Sequence, residues 1–316
     1  GDHFWRIYFR TETADPDARS RVVERLRVLA PDATLAGPGE PQFFHSHSRL
    51  ARSFRIGRVF LAGDAAHGSN PIEGHGMNAG IQDAWNLGWK LAAMAQGQAT
   101  EALIDSYEAE RRPVDETLVQ SGDEAYARMQ PTATEARQAL FSFLSSPEGP
   151  DFAARAESEI TLGYDKSPIV ETIGPPPAAG PLATMVGYRV GDVDGLIKQG
   201  RPCTLHDLVA TTGSTVLVLI GATPPADLAA ALEELEATVR DSHHQLHLWV
   251  VVRGKAVPST LGTNTLLDPT GRLHQRLGAE APRLCLIRPD DHLGLSAAPP
   301  SAATLRAHLQ RLFPAA

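Results

Sequence analysis

The sequence predicts an α/β protein of about two domains, and three patterns predict it. A strand-like run ending in glycine passes through a Gly-rich turn into a long helix between residues 57 and 94. Strands and helices then alternate from residue 215 to residue 313, and a Pro/Gly-rich stretch divides the two regions. With 316 residues, each region is long enough to bury a core of its own.

In chain order, Phe4–Phe9 alternates large apolar and polar residues and reads as a strand. Asp15-Pro-Asp17 starts a helix in which Val22, Val23, Leu26 and Leu29 fall at helical spacing. After the loop Gly37-Pro-Gly-Glu-Pro41, the stretch Phe43–Leu50 reads as a strand with His45, His47 and Arg49 on one face. Gly57–Gly63 is expected to be a short buried strand, followed by a turn from Asp64 to Gly76. The helix Met77–Met94 places Ile81, Ala84, Leu87, Leu91 and Met94 on one stripe, predicted to face a core. Further helices are expected from Glu101 to about Leu118 and over Glu135–Leu144. Ser145–Gly187, with Pro175-Pro-Pro177 at its centre, reads as a linker that wraps the surface or separates domains. Beyond it, strands Thr215–Ile220, Leu246–Val252, Thr265–Asp268 and Arg283–Ile287 alternate with helices Pro225–Arg240 and Ala302–Phe313 as a small α/β unit would.

Composition excludes several function classes. Hydrophobic residues make up 42% and charged residues 21%, the balance of an ordinary globular chain rather than a disordered one. Lys and Arg total 29 against 37 Asp and Glu, a net charge of −8 with the basic residues scattered. A nucleic-acid groove needs clustered positive charge, so no nucleic-acid partner is expected. Cys203 and Cys285 share neither a C-x-x-C nor a metal-ligand spacing and read as reduced thiols, which fits a cytoplasmic location. The best apolar run, Thr215–Ile220, is strand-sized, far short of the ~20 residues of a membrane helix, and no membrane partner is expected. The opening Gly-Asp-His-Phe-Trp has no Met and no basic n-region, so it reads as a chain entered partway rather than as a signal peptide.

The residues richest in chemistry are Gly57-Arg-Val-Phe-Leu-Ala-Gly-Asp-Ala-Ala-His67, Pro71-Ile-Glu-Gly-His-Gly-Met-Asn78 and the helix that follows to Leu91. A strand delivers the Asp64 carboxylate just after Gly63, where it can accept a hydrogen bond from a sugar-like hydroxyl. Gly74 and Gly76 let backbone approach a planar ligand closely. The first free N–H groups of the helix, at Gly76, Met77 and Asn78, together with the helix dipole, favour negative charge at that spot. An anion or anionic ring is expected at this turn.

From Gly57 to Leu91 the chain resembles the FAD-dependent aromatic hydroxylases of the p-hydroxybenzoate hydroxylase and phenol hydroxylase type, which include aromatic polyketide hydroxylases. Their second flavin fingerprint reads Gly-Asp-Ala-Ala-His, then Pro, a Gly-rich turn closing on Gly-Leu/Met-Asn, and Gly-Ile-Gln-Asp-Ala-x-Asn-Leu-x-Trp-Lys-Leu. Leu103-Ile-Asp-Ser-Tyr-Glu-Ala-Glu-Arg-Arg-Pro-Val114 resembles the same family's continuation. The resemblance implies that Asp64 bonds the ribityl chain of FAD, that Pro71 lies beside the isoalloxazine, and that backbone at Gly76, Met77 and Asn78 meets flavin N1 and O2. It further implies NAD(P)H as electron donor, a flavin C4a-hydroperoxide formed with O2, and transfer of its distal oxygen to a small aromatic substrate. Glu73 and His75 depart from the pattern, which usually has Gly and Gln or Lys there; a carboxylate at Glu73 is unfavourable near an anionic flavin unless it points to solvent. His67 is read as a structural hydrogen-bonding residue rather than a proton-transfer group.

The family also opens with a G-x-G-x-x-G nucleotide fold and carries an Asp-Gly motif. Neither can be read here, and Gly191-Asp-Val-Asp-Gly195 is too short and follows no strand. The resemblance therefore implies a C-terminal portion that needs an N-terminal FAD-binding half, in the same or a separate chain. Residues from Gly187 to Phe313 resemble the thioredoxin-like domain appended to phenol and polyketide hydroxylases, through Leu205-His-Asp-Leu208, Leu267-Asp-Pro-Thr-Gly-Arg-Leu-His274 and Leu286-Ile-Arg-Pro-Asp290. With the two thiols so far apart, that domain is expected to serve packing or homodimerisation rather than disulfide chemistry. The expected plan is thus the end of a substrate-binding sheet over 1–56, the second half of the FAD-binding domain over 57–145, a linker over 146–186 and the thioredoxin-like α/β domain over 187–316. No metal site is expected, since His45 with His47, and His243, His244 and His247, lack convergent carboxylates; one of the first two lining a substrate pocket is the alternative. No G-x-S-x-G supports a hydrolase. The competing reading of the whole chain is a non-catalytic interaction module.

Overall fold

Seven consecutive buried residues, Ser214–Ile220, form the spine of the larger of the chain's sheets. The computed structural model describes residues 17–29, 31–32, 45, 47–71, 74–128, 134–150, 154, 159, 161–178, 184–209, 212–220, 228–258, 261–262 and 264–314. Two compact units result, Gly1–Ser46 and His47–Ala316. The first contains α1 (Ala18–Leu29), which matches the expected helix. The strand expected at Phe4–Phe9 lies outside the described residues.

The second unit begins with short paired strands. They are β1 (Arg49–Leu50), β2 (Arg55–Ile56), β3 (Val59–Phe60) and β4 (His67–Gly68), with a 3-10 turn at Gly63–Ala65 between the last two. Long helices α2 (Gly76–Ala95), α3 (Glu101–Arg128) and α4 (Thr134–Leu144) follow, then β5 (Glu171–Ile173), β6 (Leu196–Lys198), β7 (Arg201–Cys203) and β8 (Ser214–Ile220). The chain ends through α5 (Leu228–Arg240), β9 (Leu246–Val252), β10 (Thr265–Leu267), α6 (Arg272–Arg276), β11 (Arg283–Ile287), β12 (Leu293–Ala297) and α7 (Ala302–Leu312).

Strands β5 to β12 make one eight-stranded mixed sheet in the order β5-β12-β11-β8-β9-β10-β6-β7. Because strand side chains alternate, β8 feeds two cores: Val216, Val218 and Ile220 pack with α5 and α7, while Leu217 and Leu219 pack with Leu273 and Leu277 on the other face. A sheet covered on both sides needs apolar residues at every position, and that continuous run is what the sequence displayed. Strand β9 runs parallel to β8, and β11 runs antiparallel on its other side. A smaller core of Phe54, Ala66, Leu87 and Tyr107 joins the β1–β4 region to α2 and α3. Among the described residues, no helix is long and apolar enough to cross a membrane.

Several expectations need correction. Of Phe43–Leu50, only Arg49–Leu50 is strand among the described residues. Gly57–Gly63 is not a buried strand: Val59–Phe60 pairs with Arg55–Ile56 as a hairpin, and Val59 is 64% exposed. Only part of the expected apolar stripe of α2 faces a core: Leu87 is buried and Leu91 half-buried, whereas Ile81, Ala84 and Met94 are exposed. Ala79, Asp83, Asn86, Leu87, Lys90 and Ala93 are buried, because charged partners on α3 face that side. Helix α3 continues to Arg128 rather than stopping near Leu118, and Arg128 pairs with Glu124 at i,i+4, 2.9 Å apart. The stretch read as a linker supplies β5, which adds to the sheet edge beside β12. Helix α5 starts at Leu228, residues 225–227 lying outside the described set. Strand β12 was not foreseen, because Gly294, Ser296 and Ala297 give it little β propensity. The β6–β7 hairpin was also missed; its two-residue turn, Gln199 (φ 50°) and Gly200 (φ 76°), is a left-handed pair.

Candidate functional site

The seven residues expected to hold a cofactor lie along one turn with two limbs. The first limb is the 3-10 turn Gly63–Ala65. Gly63 takes φ +57°, and a Cβ placed on Gly80 would lie 3.4 Å from the Gly63 Cα, so two glycines let this turn rest on the first turns of α2. Asp64 is exposed and makes no ion pair with any described residue, leaving its carboxylate open to a ligand. Exposed Pro71 leads into the bend, where the Gly74 N–H donates to the Pro71 carbonyl at 3.3 Å. Ile72 and Glu73 lie outside the described residues.

Gly74 adopts φ +74°, and a Cβ there would meet none of the described residues within 4 Å; at Gly76 it would come 3.3 Å from the Ser69 Oγ. The bend is therefore open at Gly74 rather than packed shut. The second limb is the start of α2. No side chain caps it, and its first turn holds no acidic residue. The bond from the Ala79 N–H to the His75 carbonyl, 2.9 Å, closes the first turn, so the N–H groups of Gly76, Met77 and Asn78 precede the helical ladder. With no side-chain cap and no acidic residue in its own first turn, that start favours an incoming anion.

Behind this turn stands a buried charged cluster that the sequence did not reveal. Asp83 Oδ2 accepts the Gly63 N–H at 2.8 Å and lies 2.8 Å from His67 Nε2, while Oδ1 accepts from Arg111 Nε at 2.6 Å. Arg111 also donates to Asp115 Oδ1 at 2.9 Å, to the Ala79 carbonyl at 3.3 Å and to the Tyr164 hydroxyl at 3.3 Å. Burial works against the charge on Asp83, but the bonds from His67, Arg111 and Gly63 hold its pKa below the ordinary carboxylate value. For His67 burial is likewise outweighed, by Asp83 and Asp115, and its pKa is raised. Asp115 is pushed up to about 7 by burial, with Arg111 opposing and Asp83 adding to the rise. His67, Asp83 and Asp115 offer ligand atoms within 4.8 Å of one another, a metal-type set; the Arg111 guanidinium, bonded to both carboxylates, supplies the cation there.

One further residue escaped the sequence reading. Buried Glu159, at φ 55°, accepts from Gln82 Nε2 at 2.6 Å and bonds His75 Nδ1 at 3.0 Å, tying a distant segment to the start of α2. His45 and His47 are both exposed. Cys203 and Cys285 are free, and burial pushes the Cys285 thiol up to about 12.

Comparison with known proteins finds relatives along the length of the chain. Residues 3–122 match the family described as an FAD binding domain. The chain is 32% identical to pentachlorophenol 4-monooxygenase of Sphingobium chlorophenolicum over 83% of this chain and 46% of that protein. It is 31% identical to 6-methylpretetramide 4-monooxygenase of Streptomyces rimosus over 98% of this chain and 55% of that one. Among solved structures, the ternary complex of aklavinone-11 hydroxylase with FAD and aklavinone superposes with a TM-score of 0.66 at 28% identity, covering 93% of this chain and 51% of the other. The relatives are aromatic and polyketide hydroxylases, and the chain spans about half the length of the curated relatives it matches.

Proposed function

We propose that this chain is the C-terminal portion of a flavin-dependent monooxygenase that hydroxylates a phenolic or polycyclic aromatic substrate with NAD(P)H and O2. The observation that carries the reading is the open bend at Gly74 between an unpaired Asp64 and an uncapped, acid-free helix start. Those features fit FAD. Asp64, beside Gly63, would accept a hydrogen bond from the ribityl chain, Pro71 and Gly74 would border the ring system, and the N–H groups of Gly76, Met77 and Asn78 would meet its anionic edge. Bound FAD would supply the electron transfer and oxygen activation. The chain's own task is to orient the ring, complement its charge and exclude water.

An N-terminal half, in the same or a separate chain, completes the reading. Met77, Ile81 and Trp85 recur every four residues on the outer face of α2, and Ile56 and Val59 are likewise exposed on the β2–β3 hairpin. Large apolar residues at helical spacing mark a surface meant to be covered. The unit β8–α5–β9 followed by β11, β12 and α7, with strand order β9-β8-β11-β12, supports a thioredoxin-like C-terminal domain. Its thiols are too far apart in sequence for redox exchange, so packing or homodimerisation is its role, in a reducing cytoplasm.

The test joins the chain to an N-terminal half from a related hydroxylase and records the visible flavin spectrum and NAD(P)H oxidation with aromatic substrates added. Yellow protein with substrate-stimulated oxidation is the expected result. Asp64→Ala should then weaken FAD binding about tenfold or more, the loss of one charge-assisted hydrogen bond. Protein that stays colourless with the N-terminal half in place would instead favour a non-catalytic interaction module.

A further inference from the structure

We propose that Asp83 and Arg111 are positioning residues for the candidate flavin turn, and that one proton held between Asp115 and His67 keeps this brace electrically neutral. The inference rests on the flavin reading of the turn, but its geometry is independent of it. Asp83 grips the first limb through the Gly63 N–H at 2.8 Å, and Arg111 grips the second through the Ala79 carbonyl at 3.3 Å. The two grips are joined by the Arg111 Nε to Asp83 Oδ1 bond at 2.6 Å. The spacing between the limbs is thereby set by one buried ion pair.

Charge counting leads to the proton. Asp83 and Arg111 cancel. His67 and Asp115 add nothing if they hold one proton together, a negative charge if they hold none, and a positive charge if they hold two. All four side chains are buried, and an uncompensated charge at such a depth is costly. Asp115 Oδ2 is buried with no hydrogen-bond partner and lies 3.8 Å from His67 Nε2, so the cluster has an acceptor position waiting for that proton. The groups facing the pair come from every packed element. They are Asp83 on α2, Arg111 and Tyr107 on α3, and Tyr164, with the Phe54 ring stacked 6.4 Å from the His67 ring. Tyr107 donates its hydroxyl to the Leu61 carbonyl at 2.8 Å and stays neutral, because burial first and Asp83 second push its pKa up. Loss of the shared proton would put a second negative charge behind Gly63 and loosen the grip of Asp83.

The experiment follows His67 and Gly63 in the flavin-free 316-residue chain, with selectively 15N-labelled histidine and glycine, from pH 5 to 9. The expected result is that the Gly63 amide shift moves with the His67 imidazole through one shared midpoint, and that Asp115→Asn abolishes the movement at Gly63. Should Asp115→Asn fail to fold, the wild-type titration stands alone, with His67→Gln as the second variant expected to flatten the Gly63 profile. In protein joined to its N-terminal half, FAD affinity should fall roughly threefold to tenfold from pH 6 to 9, and Asp115→Asn should make it independent of pH. A Gly63 amide indifferent to pH while His67 titrates overturns the brace. Coupled titration in protein that binds no FAD at any pH leaves the brace supported and removes the flavin reading instead.

Discussion

At the scale of single residues, the site depends on places where a side chain would be in the way. Gly63 sits at φ +57°, so a Cβ there meets backbone strain, while its 3.8 Å approach to the Gly80 Cα is an ordinary contact. Gly63→Ala should destabilise the chain by about 1–2 kcal/mol, and Gly63→Asn by less, since Asn tolerates the left-handed region better. Denaturant unfolding of the three proteins checks the order. These residues were legible in the sequence because they are consecutive: Gly63 and Asp64 adjoin, and Gly76, Met77 and Asn78 open a recognisable helix. Asp83 and Arg111 were not. A charged residue on a helix reads as a solvated one, and only the arrival of α3 beside α2 shows that Asp83 is fully buried. The available signal was that Asp83, Asn86 and Lys90 fall at i, i+3 and i+7, the spacing of a buried face. Glu159 left no such trace, because its partner His75 lies 84 residues away.

At the scale of elements, a second buried network locks the two long helices to the C-terminal sheet. Glu110 of α3 accepts from Lys90 Nζ at 2.7 Å, Asn86 Nδ2 at 2.7 Å and Ser167 Oγ at 2.6 Å. It also takes both arms of the Arg288 fork, at 2.6 and 2.9 Å. Arg288 Nε donates to Asp290 Oδ1 at 2.9 Å, and Trp89 of α2 donates to Asp290 Oδ2 at 3.1 Å. The turn between β11 and β12 thus reaches across to α2 and α3, which gives Arg288-Pro-Asp290 its physical purpose. Two cations balance two anions. Burial lowers the Lys90 pKa to about 8 with Glu110 opposing, whereas Glu110 and Asp290 are held well below the usual carboxylate range, burial being outweighed by Arg288. Arg288→Ala leaves Glu110 and Asp290 buried without their shared partner and should cost about 3–5 kcal/mol. Arg288→Lys keeps the charge, loses the fork and should cost clearly less. Equal losses in thermal or denaturant unfolding would show that the fork contributes nothing. The same contrast explains what was readable here: β8 displayed itself as a continuous apolar run, whereas α2 hid its buried face behind polar residues whose partners lie on α3, at Gly63 and on His67.

At the scale of the whole molecule, these buried groups set how stability follows pH, and their contributions have opposite signs. Asp83, Glu110 and Asp290 have lowered pKa values, so they stabilise the fold above the ordinary carboxylate value of about 4 and lose that contribution as pH falls below it. His244 and His308 are driven down to about 4, His244 by burial and His308 by burial against the opposing pull of Glu171. Both stay neutral in the fold while the unfolded chain takes up protons below about pH 6.5, so stability rises with pH up to that point. Asp115 and His67 act the other way. The proton they share is held up to about pH 7 and is released above it, whereas in the unfolded chain Asp115 is already deprotonated and His67 gives up its proton near pH 6.5. Their stabilisation is therefore lost as pH rises through neutrality. The two histidines carry the rise between about pH 4 and 6.5, and from there to about pH 8, where the lowered Lys90 pKa begins to add a rising contribution, only the loss of the pair's contribution remains, which puts a maximum of thermal stability near pH 6–7. Asp115→Asn removes one falling contribution and should carry the maximum to higher pH, whereas His244→Gln should flatten the rise on the acid side. Melting temperatures of the three proteins between pH 4 and 9 measure both shifts. A maximum that stays in place in Asp115→Asn would mean that Asp115 holds no proton in the neutral range.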